Sequence, residues 1–226
     1  MVRDAHPTGP SAGVVPGAEP DPVEDNGPAP PADRIMAAAL TCMERDGIEA
    51  TGIRDIAREA GVNSAAINYY FRSKDNLIRL ALERSLENAF DGTIGELDRL
   101  LAESVPMRVA FERVMDDYLH HLGEFPRLAY AHLRDALVNQ RYDGDAIVRL
   151  NAFLDQLLAR LARGTSSERA AELRLLLVQV WGSLLLFGVL PRLLDPFLSL
   201  DFSQAEVRER YLRRLLAGVH AWLEEG

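Results

Sequence analysis

Apolar residues recur every three or four positions along most of the chain after Pro31, which is the spacing of amphipathic helices. Asp33 is the predicted N-cap of the first helix, and Gly47 suits its exit. The apolar face of this helix is formed by Ile35, Ala38, Ala39, Cys42 and Met43. No segment alternates apolar and polar residues with the Val, Ile and Thr content of a strand. The pattern therefore predicts an all-α protein without a sheet.

Short helices precede long ones in this pattern. Two helices of about eight residues are predicted over 53–60 and 64–71, and a fourth helix starts after Ser73 and ends near Gly92. Five or six longer helices follow, the last running from about Gln204 to Glu224. The predicted interruptions between them lie near Pro106, Pro126, 143–144, 164–167, 191–196 and Ser203.

The segment 53–71, IRDIAREAGVNSAAINYYF, has the spacing of a helix-turn-helix. Gly61 lies where the turn needs a positive φ, which glycine adopts at little cost. Ala57 lets the two helices cross closely, and Asn63 can cap the second helix through its side-chain oxygen. The outward face of that second helix lacks the Glu and Lys of a solvated surface, which makes an ordinary helical hairpin the weaker interpretation.

Features that bind phosphate follow this motif. Ser73 is the predicted cap of the next helix, whose N-terminus offers free N–H groups and partial positive charge. Lys74, the only lysine of the chain, lies at this helix start, and Arg72 and Arg79 make 61–79 net positive. The chain of 226 residues has a net charge of -9, so any contact with DNA must come from such a local patch.

The segment from about Arg34 to Leu82 resembles the TetR family of bacterial transcriptional regulators, through the string TGIRDIAREAGVNSAAINYYFRSKDNL. The resemblance implies that Tyr70 and Lys74 contact phosphates and that the exposed face of the second helix of the motif enters the major groove. The predicted DNA-binding residues are Thr51, Arg54, Ser64, Ala65, Ala66, Asn68, Tyr69, Tyr70 and Lys74.

Three positions depart from the family pattern. Gly52 stands where the family often has Thr, so capping of the second helix falls to Thr51 or to Gly52 itself. Ala65 replaces a common Gly. Asn68 replaces a very common Tyr, which removes one usual phosphate contact and provides a side chain suited to adenine.

The resemblance also implies two domains, with a three-helix DNA-binding domain over 33–88 and a helical domain for effector binding and dimerisation over 89–226. Residues 1–32 contain eight of the 12 prolines and more acidic than basic side chains, so we expect a disordered tail. No secretory signal is recognised, and a cytoplasmic location is expected.

Dimerisation is predicted from two apolar stretches. Residues 175–190 form a run of 16 residues without charge, shorter than the about 20 that cross a bilayer, so a helix at a subunit interface is favoured over a membrane span. The last helix offers a second stripe. The predicted interface residues are Leu186, Tyr211, Leu215, Val219 and Trp222.

Candidates for an effector pocket are the polar and aromatic side chains of the central helices, namely Tyr118, His121, Tyr130, His132, Arg134 and Trp181. Asp116 and His120 lie on one helix face and form the best candidate metal pair, but a structural role is favoured for both. The sequence contains no catalytic or cofactor motif, and neither a metal nor a cofactor is expected.

Together these features predict a non-enzymatic regulator that binds a double-stranded DNA operator, an inverted repeat, as a homodimer. The resemblance implies a repressor that a small-molecule effector releases, and no membrane partner is expected. Two alternatives remain open from the sequence: an activator of the same family, and a helical metal-binding enzyme.

Overall fold

The computed structural model describes residues 29–190, 193, 197 and 204–225, and this part of the chain contains ten helices and no strand. An all-α fold is therefore confirmed. The helices are α1 (Pro31–Asp46), α2 (Ile53–Ala60), α3 (Ser64–Phe71), α4 (Lys74–Ala102), α5 (Met107–Glu124), α6 (Pro126–Asn139), α7 (Asp145–Leu161), α8 (Ser167–Val189), α9 (Ala205–Leu215) and α10 (Ala217–Glu224).

Helices α2 and α3 have the predicted bounds, whereas three predictions about helix ends are wrong. Helix α1 begins at Pro31, so Asp33 lies inside its first turn and pairs with Arg84 at 2.5 Å. Helix α4 continues through Gly92 because Phe90, Ile94 and further residues on the same side are buried, which outweighs the roughly 1 kcal/mol that a helical glycine costs. The last predicted helix is divided in two at position 216.

Two hydrophobic cores lie along helix α4. The first core joins α1, α2, α3 and the start of α4 around residues such as Ile35, Ile67 and Leu77. The second joins the remainder of α4 to α5, α7, α8, α9 and α10, around residues such as Phe111 and Trp181. The predicted domain boundary at 88/89 falls within α4, between these cores, and stays a prediction. Of the predicted tail, residues 1–28 lie outside the described residues.

Helix α8 is long and apolar enough to cross a membrane by length and composition, with a mean hydropathy of 1.6 over its most apolar window. Its inner side is buried in the second core through Leu177, Val180 and Leu184. The opposite side carries Leu175 and Val178, which are 67% and 59% exposed. One side of α8 is thus a core element, and the other side is an apolar surface without a partner within the described part of the subunit.

The final two helices turn most of their predicted interface stripe inwards. Val219 and Trp222 are buried in the second core of their own subunit, so the prediction that they face a partner is wrong. The indole of Trp222 donates to the carbonyl of Arg169 at 3.0 Å, which fixes it against α8. Tyr211 and Leu215 are half-buried against the same core. The solvent side of α10 instead carries the small residues Ala217, Gly218 and Ala221.

Gly61 provides a direct stability test of the turn between α2 and α3. Its φ of 65° lies in the left-handed region, and a Cβ added there meets no atom within 4 Å, so replacement is costly through the backbone alone. We expect Gly61→Ala to lower the free energy of unfolding by about 1 kcal/mol in urea titrations. Gly95→Ala, at an exposed site inside α4 with equal space, should raise it by up to about 1 kcal/mol. Equal effects of the two substitutions would contradict this.

Candidate nucleic-acid interface and cavity

Backbone hydrogen bonds and one side-chain cap hold the turn between α2 and α3. Gly61 ends α2, and the N–H of Val62 donates to the carbonyl of Ala57 at 2.9 Å. The side chain of Asn63 accepts from the N–H of Ala66 at 2.8 Å, which confirms the predicted cap of α3. Gly52 caps α2 through its carbonyl alone, because no side chain bonds there. The angle between the two helices is therefore set by short-range contacts.

Helix α3 buries one side and exposes the other. Ile67 and Phe71 are 0% and 4% exposed and anchor the helix on the first core. Ala65, Asn68 and Tyr69 lie on the exposed side. The exposed surface of α3 therefore carries a methyl group, an amide and an aromatic hydroxyl, which are the groups that contact base edges and phosphates in a major groove.

The connection from α3 to α4 is held by a residue that the sequence interpretation passed over. The hydroxyl of Ser73 accepts from the N–H of Asn76 at 3.1 Å, which confirms the predicted cap of α4. The amide of Asn76 also donates to the carbonyl of Phe71 at 2.9 Å, so it ties the end of α3 to the start of α4. Arg72 bridges the two helices with a positive φ of 68°. The sequence signal for this link was Asn76, three residues after the capping Ser73.

Three cations around α3 are free to meet phosphates. Arg54, Arg72 and Lys74 form no ion pair with any side chain in the described part of the chain, whereas Arg58 and Arg79 are neutralised within their own helices. Tyr70, 45% exposed, lies beside this group with its ring 5.1 Å from that of Tyr69. The basic character predicted for this segment is thus concentrated at the two ends of the helix-turn-helix.

Thr51 is an exception among the predicted DNA-binding residues. Its side chain is 1% exposed, and its hydroxyl donates to the carbonyl of Gly47 at 2.8 Å, so the prediction that it faces DNA is wrong. Ser64 and Ala66 are half-buried at the start of α3. The remaining predicted residues keep exposed or half-exposed side chains. Together with Arg72, which was not among the predicted contacts, they form what we call the α3 surface: Arg54, Ala65, Asn68, Tyr69, Tyr70, Arg72 and Lys74.

A cavity of about 530 Å³ lies beside the junction of the two cores, with walls from α1, α4, α5, α6, α7 and α8. Its lining is mainly aliphatic and aromatic, with Phe90 and Phe125 among the rings. Three predicted pocket residues, Tyr118, His121 and His132, line it. A sequence could not place the α1 and α4 residues of this wall, because they come from the other end of the chain.

Burial shifts the two most enclosed titratable groups of the cavity. Removal from water raises the pKa of Tyr118 to about 12 and lowers the pKa of His132 to about 4, so both are neutral near pH 7. His121 lies nearer to solvent, with its Nδ1 2.8 Å from the carbonyl of Asp117. The inner wall of the cavity therefore presents uncharged hydrogen-bonding groups.

The other three predicted pocket residues lie elsewhere. Trp181 is buried behind Tyr118, with ring centroids 5.3 Å apart, and supports that ring without lining the cavity. Arg134 pairs with Glu49 at 2.6 Å on the outer side of α6. Tyr130, 38% exposed, points away from the cavity on the same helix. These three residues therefore do not line this cavity, because helical position alone does not tell which side of a helix faces inwards.

Comparisons with known proteins agree with this arrangement. The family model described as bacterial regulatory proteins, tetR family, matches residues 35–81, the part that builds the first core and the α3 surface. Residues 35–81 therefore belong to the TetR family of bacterial regulatory proteins. In sequence the chain is similar to the nicotine-responsive transcriptional repressor HdnoR of Paenarthrobacter nicotinovorans, 32% identical over 99 residues, or 41% of this chain and 50% of that protein.

Two further comparisons concern a second repressor and a solved structure. The repressor KstR2 of Mycolicibacterium smegmatis is 26% identical over 121 residues, which are 48% of this chain and 59% of that protein. The chain thus spans about half the length of these relatives. A TetR-family regulator structure from Mesorhizobium loti matches 86% of this chain and 95% of its own, with a TM-score of 0.59 and 16% identity. That likeness concerns the fold.

The junction of the two cores was not predicted from the sequence. Glu44 of α1 accepts from the N–H groups of Leu128 at 2.9 Å and Arg127 at 3.4 Å, so it caps the N-terminus of α6 from another helix. The guanidinium of Arg127 donates in return to the carbonyl of Arg45 at the end of α1. Leu128 is buried with the first core. Because Glu44 and Leu128 also line the cavity, the α1–α6 junction forms part of its wall.

Candidate metal ligands do not gather in the described part of the structure, where no group of three or more His, Cys, Asp or Glu residues is placed to hold an ion. His120 lies 3.4 Å from Glu124, one turn further along α5. The known relatives are transcriptional regulators. Among the described residues, the α3 surface and the cavity are therefore the candidate sites for DNA and for a small molecule.

Burial of His132 makes the stability of the folded chain depend on pH. The pKa of His132 lies near 4 in the folded chain and near 6.5 when unfolded, so the unfolded chain binds more protons between these values and the folded chain loses stability as pH falls. We expect the free energy of unfolding of wild type to fall by about 2 kcal/mol more than that of His132→Asn between pH 7 and pH 5, as measured in urea titrations. His120→Asn, at an exposed site on α5, is the control. A pH-independent difference for His132→Asn would contradict the burial of a neutral imidazole.

Proposed function

We propose that this protein is a sequence-specific DNA-binding transcriptional repressor that a small-molecule effector releases from its operator. One observation carries the proposal: α3 is anchored by Ile67 and Phe71 and presents a compact, uncharged surface flanked by free cations. A surface of this kind fits the major groove, and the flanking cations fit the phosphates on either side.

The electrostatics support docking at the α3 surface. A chain with a net charge of -9 is repelled by DNA over most of its surface, so a local patch must supply the attraction. Arg54 at the start of α2 and Lys74 at the start of α4 lie at helix N-termini, where free N–H groups add to their charge. Arg72 lies between them in the chain.

A second copy of this chain is the partner that the exposed side of α8 fits. Leu175, Val178 and Leu186 recur at helical spacing on that side, and Gly182 between them allows close approach. The small outer face of α10 borders α8, since a Cβ on Gly218 would meet Leu176 at 2.8 Å. Helices α8 and α10 from two subunits would bury this surface in a symmetric dimer. Two copies of α3 about 34–36 Å apart then read an inverted repeat.

The cavity is the proposed effector site. It has the size and mainly apolar lining of a small-molecule site, and its wall includes the α1–α6 junction between the two cores. HdnoR, similar over half of its length, is described as a nicotine-responsive repressor, which supports control of this chain by a ligand. A ligand acts on DNA binding only through a difference in affinity between the two states.

The proposal is tested by selecting duplexes from a random pool with the full-length protein and measuring their binding across a range of salt concentrations. We expect an enriched inverted repeat, bound in a ratio of two chains per duplex, whose affinity falls steeply with salt. A reporter driven through this repeat should be silenced by the protein, whereas stimulation would indicate an activator. Failure to enrich any sequence would contradict the proposal.

Lys74 tests the phosphate contact. We expect Lys74→Ala to weaken binding to the selected repeat and to unrelated duplexes by the same factor, and to reduce the slope of log K against log salt by about 1, because one released counterion is lost. Asn68→Ala is the matched comparison on α3, where the loss should be confined to the selected repeat. Unchanged affinity of Lys74→Ala at moderate salt would contradict the assignment.

Val178 tests the dimer surface with a matched control. Val178 on α8 and Val148 on α7 are both 59% exposed in the subunit, so an arginine at either position is tolerated equally by an isolated chain. At an interface, the buried charge without a partner costs several kcal/mol. We expect Val178→Arg to be a folded monomer in light scattering and to lose affinity for the repeat, while Val148→Arg stays dimeric. A dimeric Val178→Arg would exclude this surface.

A further inference from the structure

The charged residues on the cavity wall indicate which charge a ligand can carry. No lysine or arginine lines the cavity among the residues that the structure describes, whereas two carboxylates, Glu44 and Asp117, do. The other titratable groups on the wall are Tyr118, His121 and His132. An anionic ligand would meet no fixed positive charge in this cavity and would be repelled by both carboxylates.

The two carboxylates come from different helices of the cavity wall. Glu44 belongs to α1, beneath the N-terminus of α6, and Asp117 belongs to α5 on the solvent side, with a largely exposed side chain. Phe90 and Phe125 supply aromatic surface on the same lining. Aromatic faces attract cations, and neutral imidazole and phenol groups accept or donate hydrogen bonds without opposing a positive charge.

We propose that the cavity binds a lipophilic organic cation and that Glu44 is its counter-charge. This inference rests on the proposed function only in taking the cavity as the effector site. Glu44 can couple ligand binding to the position of α6, because the same carboxylate accepts from the N–H groups of Leu128 and Arg127. A cation beside Glu44 competes with those N–H groups for the carboxylate, so its binding weakens the link between α1 and α6.

Tetraphenylphosphonium and tetraphenylborate make a direct test, because they have nearly the same size and shape and carry opposite charges. Calorimetric titration of the full-length protein without DNA should give saturable binding of the phosphonium, at least about tenfold tighter than that of the borate. Because DNA is absent, a failure here leaves the proposed DNA binding intact, and a failure to bind DNA leaves this preference intact.

Substitutions that remove single charges test which residue causes the preference for the cation. Glu44→Gln removes the charge and keeps an oxygen that accepts from α6, so the ratio of the two affinities should fall about tenfold. Glu49→Gln is the matched control: it removes the same charge from a residue that pairs with Arg134 outside the cavity, and the ratio should stay as in wild type. Asp117→Asn, at an exposed side chain that folding does not need, should lower the ratio by a smaller factor.

Three outcomes would overturn the proposal. One is a borate affinity equal to or greater than that of the phosphonium in the wild-type protein. The second is an equal change of the ratio in Glu44→Gln and Glu49→Gln, which would indicate a response to net charge instead of a site. The third is the absence of saturable phosphonium binding.

Discussion

The contact of Glu44 with the N-terminus of α6 determines how the two halves of this protein are joined. A helix start carries N–H groups that have no partner within the helix, and the loop before α6 has no side chain that caps them. Helix α1 supplies the carboxylate of Glu44 instead, and the side chain of Leu128 packs in the first core. Because Leu128 and His132 of α6 line the cavity and Leu128 also packs in the first core, any change in this contact is felt both at the cavity and in the core that supports α3.

Helix α4 makes the second connection between the halves. It begins at the Ser73 cap beside the α3 surface, contributes Leu77 to the first core and continues into the second core through Phe90 and Leu97. A packed helix moves as a unit because interiors are close-packed and do not deform continuously. The orientation of α3 is therefore tied to the bundle along α4 and through α6, and the cavity lies between these two connections.

Local chemistry made the first half of the chain predictable. Gly61, Asn63 and Ser73 each fix a turn or a cap within a few residues, and the observed bounds of α2 and α3 follow from them. The errors arose where tertiary packing decides. Gly92 did not end α4, because burial on one side of the helix outweighed the local penalty.

Residue type also failed to tell which partner an apolar side chain meets. Val219 and Trp222 form a stripe at helical spacing that serves the core of their own subunit as well as it could serve an interface. The role of Glu44, a polar residue of α1, depends on α6, more than 80 residues away. Neither outcome leaves a local signal in the sequence.

Reciprocal linkage between the cavity and DNA tests the central claim, that occupancy of the cavity is felt at the α3 surface. The affinity of a duplex selected from a random pool is measured with and without saturating tetraphenylphosphonium, and the affinity of the phosphonium with and without saturating duplex. We expect the phosphonium to lower the affinity of the duplex and the duplex to lower the affinity of the phosphonium by the same factor, at least about fivefold. The two factors are equal because coupling between two sites is mutual. Equal affinity of the phosphonium for the free and the DNA-bound protein would contradict the account.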